Sequence, residues 1–289
     1  MSITLSELPL ELLEKIVLFI NEDNDGRDIV RFSLTSVHIR FAVINSRIRG
    51  SIKLHSGNYK VFLADRTSLS LPKQSFRLFL SKTREIDYKI INGVYKIYLN
   101  GTQINNMKYI NDTKIAYLCG TKIDDASQLE FLYSADLSYT KVTDVSMLGK
   151  LYSLNISNTK VKDVSMLGRL KFLNLNNTSV TDVSMLGKVY YLSLCGTKVS
   201  DVSMLGNVHT LYLSRTRVVN VSKLGGVNTL YLNNTMVKDV SELYNLHTLF
   251  IMNTLVNDVS MLGKLNTLFL NGTAVTDISM LGNVEKLYY

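Results

Sequence analysis

The feature that most constrains this chain is a line of nineteen residues, rewritten without insertion from Val94 to Asn283. Its cleanest copy is Leu151–Arg169, LYSLNISNTKVKDVSMLGR. Copies starting at Leu170, Val189, Val208, Val227, Leu246 and Leu265 follow it, and copies starting at Leu132, Thr113 and Val94 precede it. A short fixed period is the signature of a solenoid, in which each unit buries its apolar face only against the units before and after it. One unit alone cannot bury enough to order itself; stacking and strand ladders must supply the difference.

The unit reads L-x-x-L-x-L-x-x-T-x-V-x-D-V-S-x-L-G-x. In the representative copy Leu154 and Ile156 alternate with Ser153, Asn155 and Ser157, a period of two that predicts a strand with its apolar residues inward. Leu151, Val161, Val164 and Leu167 complete the inward set. Thr159 and its equivalents from Thr102 to Thr273 read as an inward ladder whose hydroxyls serve loop amides; a regular ice- or mineral-binding surface is the alternative. Asp163 and its equivalents (Asp125, Asp144, Asp182, Asp201, Asp239, Asp258 and Asp277) read as caps of a single helical turn closed by glycine. A calcium ladder is the competing reading, but the glycine-rich nonapeptide that builds one is absent. The serine after each aspartate is a turn residue, and the methionines of Ser-Met-Leu-Gly are expected to pack within the turn.

Function is expected where the frame varies. The position between the two strand leucines runs Tyr98, Tyr117, Asp136, Asn155, Asn174, Ser193, Tyr212, Tyr231, Phe250, Phe269 and Tyr288. These are the candidate target-binding residues, flanked by Tyr190, His209 and His247. An exposed aromatic row invites a partner, although aromatics also stack along a ladder without one.

The first half of the unit resembles the leucine-rich repeat, with threonine where asparagine or cysteine is usual. The second half resembles the helix-poor returns of bacterial and regulatory-subunit members, shortened by about three residues. The resemblance covers about two thirds of the chain. It implies an α/β solenoid with a parallel concave sheet. Residues 94–289 are assigned to it: ten units and a partial terminal strand, Tyr288-Tyr289, that leaves an edge open to pairing with another chain.

Ahead of the array, residues 1–45 read as a small helical module. Pro9 suits a first helical position, and Leu10, Leu13, Val17 and Ile20 follow at helical spacing. Asn21–Asp28 is an acidic loop, and a second helix is expected over Asp28–Ser36. The opening Leu8-Pro9-Leu10-Glu11-Leu12-Leu13 and the segment from Asp28 to Phe41 resemble the F-box. That resemblance implies docking to a Skp-type adaptor, and through it to a cullin-type ubiquitin ligase, by Leu8, Pro9, Leu12, Ile16, Val17 and Leu34. The alternative is a helical cap over the first strand of the array. Residues 46–93 form a junction in which Tyr59–Leu63 looks like a strand and Ser75–Gly93 aligns as one degenerate repeat. Near-identical units beside an F-box resemble repeat proteins of large DNA viruses.

Composition closes off other classes. No run reaches the ~18 apolar residues of a membrane span, and the N-terminus lacks the basic cluster of a secretory signal. Cys119 and Cys195 occupy the same position four units apart, at ~19 Å by strand spacing, too far for a disulfide. A reduced setting follows: the cytoplasm, or a host's cytoplasm for a viral chain. The net charge of +8 includes a basic junction at 51–93, but no aromatic and glycine pattern of an RNA-binding sheet accompanies it, so a nucleic-acid partner is not expected. His209 and His247 lie two coils apart, ~10 Å, too far to share a metal. No nucleophile–base pair or phosphate loop occurs. The expectation is a non-enzymatic substrate receptor without cofactor or metal, holding an unknown protein target; the alternative is a stand-alone binding scaffold.

Overall fold

The computed structural model describes residues 96–289 other than 105, 106, 108, 109, 111 and 112, together with the backbone of 29–30, 51–53 and 77–79. Two compact units divide the chain, Met1–Ile123 and Asp124–Tyr289.

In the first unit, β1 (Ile29–Val30), β2 (Ser51–Lys53), β3 (Arg77–Phe79), β4 (Lys96–Tyr98) and β5 (Ile115–Tyr117) pair in chain order, all parallel. Leu78 lies opposite Ile97, one period apart, which is the register of the degenerate repeat. The expected second helix meets a difference here: Ile29–Val30, inside Asp28–Ser36, is extended and pairs with Ser51–Ile52. A β-branched pair of this kind favours a strand wherever a neighbouring edge is available. The remainder of the helical module, including Leu8, Pro9, Leu12, Ile16, Val17 and Leu34, lies outside the described residues, as does Tyr59–Leu63.

The second unit holds nine parallel strands: β6 (Ser134–Asp136), β7 (Ser153–Asn155), β8 (Phe172–Asn174), β9 (Tyr191–Ser193), β10 (Thr210–Tyr212), β11 (Thr229–Tyr231), β12 (Thr248–Phe250), β13 (Thr267–Phe269) and β14 (Lys286–Tyr288). Each is paired to the next with a shift of one period, so Leu154, Leu173, Leu192 and Leu211 stand side by side. The strands span three residues, but the ladder runs past them: Ile156 N–H donates to Asn174 O at 3.0 Å and Asn158 N–H to Asn176 O at 2.8 Å. Leu151, Leu154, Ile156, Val161, Val164 and Leu167 are all buried, and the same positions are buried in the copies that follow up to the one starting at Leu246; in the last, Val275 and Ile278 are half-buried. The inward set read from the period is the core.

The threonines from Thr121 to Thr254 are buried as expected, but their chemistry is reversed; Thr102 is buried with its hydroxyl unpaired and Thr273 is half-buried. Thr178 Oγ1 donates to Leu175 O at 2.7 Å, and the Thr178 amide shares that carbonyl at 3.2 Å. Thr159 Oγ1 likewise donates to Ile156 O at 2.7 Å. Asparagine in this place offers an acceptor; a hydroxyl can instead return its proton to the strand it has just left. The buried carbonyl at the strand's end is thereby satisfied.

Most returns are a single 3-10 turn such as Ser165–Leu167; the return after Asn220 is a turn without one, closed by Leu224 N–H donating to Val221 O at 2.9 Å. Asp163 Oδ1 accepts from Ser165 N–H at 2.9 Å, and the contact recurs at Asp144, Asp182, Asp201, Asp239, Asp258 and Asp277. The aspartates therefore tie down the turn, as a cap does. The closing glycine has a different reason from the one expected. Gly168 is in the right-handed region, φ −65°, so no left-handed cap is formed. A Cβ there would instead strike the backbone oxygen of Met185 in the next unit, and the same clash recurs at Gly149, Gly187 and Gly206. Close approach of consecutive returns is what excludes a side chain. Glu130 (φ −61°) and Tyr244 (φ −66°) hold this position in two other copies, in the same right-handed region, so a side chain is accommodated there.

Left-handed backbone sits one residue before the threonine. Asn158 (φ 58°), Asn177 (φ 56°), Asn234 (φ 59°) and Asn253 (φ 54°) occupy it, alternating with Gly101, Gly120, Gly196 and Gly272. Tyr139 (φ 58°) and Arg215 (φ 60°) occupy it too, against the usual preference.

Gly168→Ala should destabilise by about 1–3 kcal/mol through overpacking, whereas Gly282→Ala, which meets nothing within 4 Å, should be neutral in a chemical denaturation series. Asp125, Asp144, Asp163 and their equivalents are held below the usual carboxylate range, chiefly by the serine amide each accepts. A folded-state pKa below the unfolded one means this contribution is present above the unfolded value and is lost as pH falls through the folded values. The thermal midpoint should therefore drop below about pH 4. Replacing the aspartates by asparagine, as Asn220 already does in one copy (Oδ1 to Ser222 N–H, 3.0 Å), should flatten that dependence.

Candidate binding surface on the sheet face

The fifth position of each unit puts one side chain per strand on the solvent side of the sheet, and its occupants divide sharply. Tyr212, Tyr231, Phe250, Phe269 and Tyr288 form one ladder of stacked rings with centroids 4.0, 4.1, 4.3 and 4.1 Å apart. Interplanar angles do not exceed 9°. The inner rings have both faces covered by their neighbours and present their edges. Tyr231 is pushed up to about 12, by burial first and then by its hydrogen bond with Tyr212. Within the first unit Tyr98 and Tyr117 stack in the same way at 4.5 Å, with Lys96 Nζ 4.9 Å from the Tyr117 centroid.

Asp136, Asn155 and Asn174 are bound to their own strands: each Oδ1 accepts from the backbone N–H two residues on, at 3.0, 3.1 and 3.0 Å. Ser193 is buried and donates to Asn176 Oδ1 at 2.6 Å, so it is not a contact residue. Short polar side chains at this position turn back into the sheet because an amide waits within reach. The aromatic row of the sequence thus has an apparent gap at its middle.

The gap is filled from other positions. Tyr133 and Tyr152, at the second position of their units, stack at 4.7 Å. Tyr152 meets Phe172 at 5.5 Å, Phe172 meets Tyr191 at 6.0 Å, and Tyr191 meets Tyr212 at 5.2 Å. An unbroken ribbon of nine rings therefore runs obliquely across the second unit from Tyr133 to Tyr288. Beside it Tyr190 stacks on His209 at 4.4 Å, with Lys171 Nζ 4.1 Å from the Tyr190 centroid. Tyr133, Tyr152, Phe172 and Tyr190 are each exposed by more than a third. Reading one position at a time hides this path; its signal is the run of aromatics at the second and third positions of the units starting at Leu132, Leu151, Leu170 and Val189.

The returns supply a second surface. Met166, Met185 and Met204 are about 60% exposed, and Met147, Met261 and Met280 are exposed as well. They are not packed within the turn as expected, because a three-residue turn buries only its leucine. Shallow grooves between returns, lined by residues such as Asp163, Asp182, Ser184 and Met185, repeat from copy to copy. Repetition makes them a product of the frame. Among the described residues no three His, Cys, Asp or Glu side chains are placed to hold a metal, and no helix is long and apolar enough to cross a membrane. His209 and His247 each contact the neighbouring threonine hydroxyl, at 3.1 and 3.0 Å. Cys119 and Cys195 are free thiols.

No family model matches the chain, and no curated protein matches it. Solved structures do. The chain is similar to an internalin (inlF) from Listeria monocytogenes, with a TM-score of 0.67 at 16% identity over 99% of both chains. It is similar to a leucine-rich repeat protein of Leptospira interrogans, with a TM-score of 0.58 at 17% identity over 83% of this chain and 76% of that one. It also matches the TLR13–ssRNA13 complex, with a TM-score of 0.61 at 18% identity, over 82% of this chain and 43% of that chain. At such identities the likeness is one of fold, and the array is a leucine-rich repeat solenoid.

Arg215 should reveal whether the left-handed position is held under strain. Arg215→Asn is expected to stabilise by about 1 kcal/mol, a rise of roughly 2–4 °C in thermal midpoint for a chain of this size. An unchanged or lower midpoint would show that the arginine makes a compensating contact.

Proposed function

We propose that this chain is a non-catalytic binding protein whose sheet face holds a protein target, and that residues 1–45 join it through a Skp-type adaptor to a cullin-type ubiquitin ligase. The ring ribbon from Tyr133 to Tyr288 carries the first part. Rings that served only to stabilise the sheet would stay in register at one position, where neighbouring strands stack them best. Here the path changes position twice and keeps its residues half-exposed, as a partner-facing surface does. The second part is supported by the sequence alone, by Leu8-Pro9-Leu10-Glu11-Leu12-Leu13 and the segment that follows it. The extended pair at Ile29–Val30 marks where the module departs from a purely helical one.

The two ends are separable by experiment. A purified Skp-type adaptor should co-elute with the full chain and fail to do so after Leu12→Asp or deletion of residues 1–45. Tyr152→Ala with Phe172→Ala should leave adaptor binding intact. Retained binding by the deletion would remove the ligase role and leave the scaffold reading; loss of adaptor binding in the ring variant would remove the division of labour.

A further inference from the structure

Hydrogen-bond direction sorts the polar groups of the sheet face. Asn155 and Asn174 turn Oδ1 onto the Ser157 and Asn176 amides. Asn176 Oδ1 in turn accepts from Cys195 N–H at 2.8 Å and from the Ser193 hydroxyl at 2.6 Å. A backbone amide can only donate, so in each asparagine the oxygen is the atom facing the sheet and the NH2 is the atom left to present. The face keeps its acceptors for itself and offers donors.

Formal charge follows the same division. In the four units from Leu151 to Gly226, the second, third, fifth, seventh, eighth and tenth positions contain Lys160, Lys171, Lys198, Arg215 and Arg217 and not one acidic residue. The aspartates of these units, Asp163, Asp182 and Asp201, all lie at the thirteenth position, on the returns, where Lys162, Arg169, Lys188 and Lys223 accompany them. Lys160, Lys198 and Arg217 share the tenth position, exposed, two residues past the left-handed residue at the rim of the sheet. Arg215 is kept at the left-handed position despite its conformational cost.

The rings add the third element. An aromatic face is the negative part of the quadrupole and the edge the positive part. Stacking at 4.0–4.3 Å hides the faces of the Tyr212–Phe269 rings, and Lys171 covers a face of Tyr190. What remains outward is apolar and edge-positive. Nucleobases bind aromatic platforms through ring faces, and in the Tyr212–Phe269 stack those faces are taken, whereas Phe172 and Tyr191 are tilted against their neighbours.

We infer that the sheet face takes an acidic, extended segment of a partner protein, with carboxylates alternating with apolar side chains. The carboxylates lie against the Asn155 and Asn174 amides and the basic residues; the apolar side chains lie along the ring edges. This rests on the sheet-face reading above. Such binding is charge-assisted and weakens with salt.

Fluorescence anisotropy on the full chain tests it, using a short labelled peptide of glutamate alternating with leucine and phenylalanine. Its lysine and glutamine counterparts and a labelled oligouridylate serve as competing probes. Asn155→Asp with Asn174→Asp is the informative variant, because Asp136 already holds a carboxylate on the Ser138 amide at the same position, 3.0 Å away, so the strand is kept while a donor becomes an anion. The glutamate peptide should bind, lose about tenfold or more in this variant and in Lys160→Glu with Arg217→Glu, a loss on the scale of removed charge-assisted contacts, and lose binding in Tyr152→Ala with Phe172→Ala. Glutamine or lysine peptides that bind equally well, still dependent on the rings, would overturn the acidic class and leave the sheet-face reading standing. Peptide binding indifferent to the ring variant would overturn both. Preference for the oligouridylate, or no binding by any probe, would overturn the acidic-peptide proposal.

Discussion

Everything in this array depends on how closely one return can lie on the next. The parallel ladder sets the spacing on the sheet side, and the strands need only three residues each because the ladder continues through the residues that follow them. On the opposite side a unit of nineteen residues leaves room for one 3-10 turn and nothing more. Gly149, Gly168 and Gly187 then pass against the carbonyls of the following returns with no space for a methyl group. The turn in turn fixes which side chains go inward: Val164 and Leu167 are buried because Asp163 anchors the amide between them. A longer return could carry a true helix and would relax all of these requirements.

Much of this was legible from spacing. The alternation of Leu154 and Ile156 with polar neighbours, and the recurrence of Val161, Val164 and Leu167, name the core because burial imposes those periods on any sequence that folds this way. Other features left a signal of a different kind. The left-handed position is written as Asn or Gly in most copies, but two exceptions, Tyr139 and Arg215, blur it. The glycine of the return looks like a helix end in a one-dimensional reading; only the neighbouring backbone shows that it answers a steric demand from another unit. The exposed methionines escaped because their repetition resembles that of core residues. Apolar character alone does not say which way a side chain points.

The ring ribbon was hidden for a geometric reason. Equivalent positions stack in register across parallel strands, so a scan down one position finds ladders such as Tyr212 to Tyr288. A path that leaves the fifth position at Tyr212 for the third at Tyr191 and Phe172, and then the second at Tyr152 and Tyr133, crosses the frame obliquely. The contacts that make it continuous join non-equivalent positions of adjacent units. Where the fifth position is polar, its side chains turn inward to backbone amides, and the rings beside them become the most prominent groups on that part of the face.

Most acidic residues of the array are gathered on its returns, and Asn220 bears on what the carboxylates do there. Its Oδ1 accepts the Ser222 amide at 3.0 Å, the same bond that Asp201 makes to Ser203 at 2.9 Å. Asparagine makes the same bond, yet the Ser222–Leu224 return that follows it is a hydrogen-bonded turn and not a 3-10 helix like the Asp-anchored ones. Eight of the nine copies of this position from Asp125 to Asp277 carry aspartate. The charges oppose one another along the ladder: Asp144 and Asp182 both work against the ionisation of Asp163. At Asp163 the serine amide outweighs that opposition and keeps the carboxylate below its usual range. No such row of carboxylates crosses the sheet face of the four units from Leu151 to Gly226, whose fifth positions hold Asn155, Asn174, Ser193 and Tyr212.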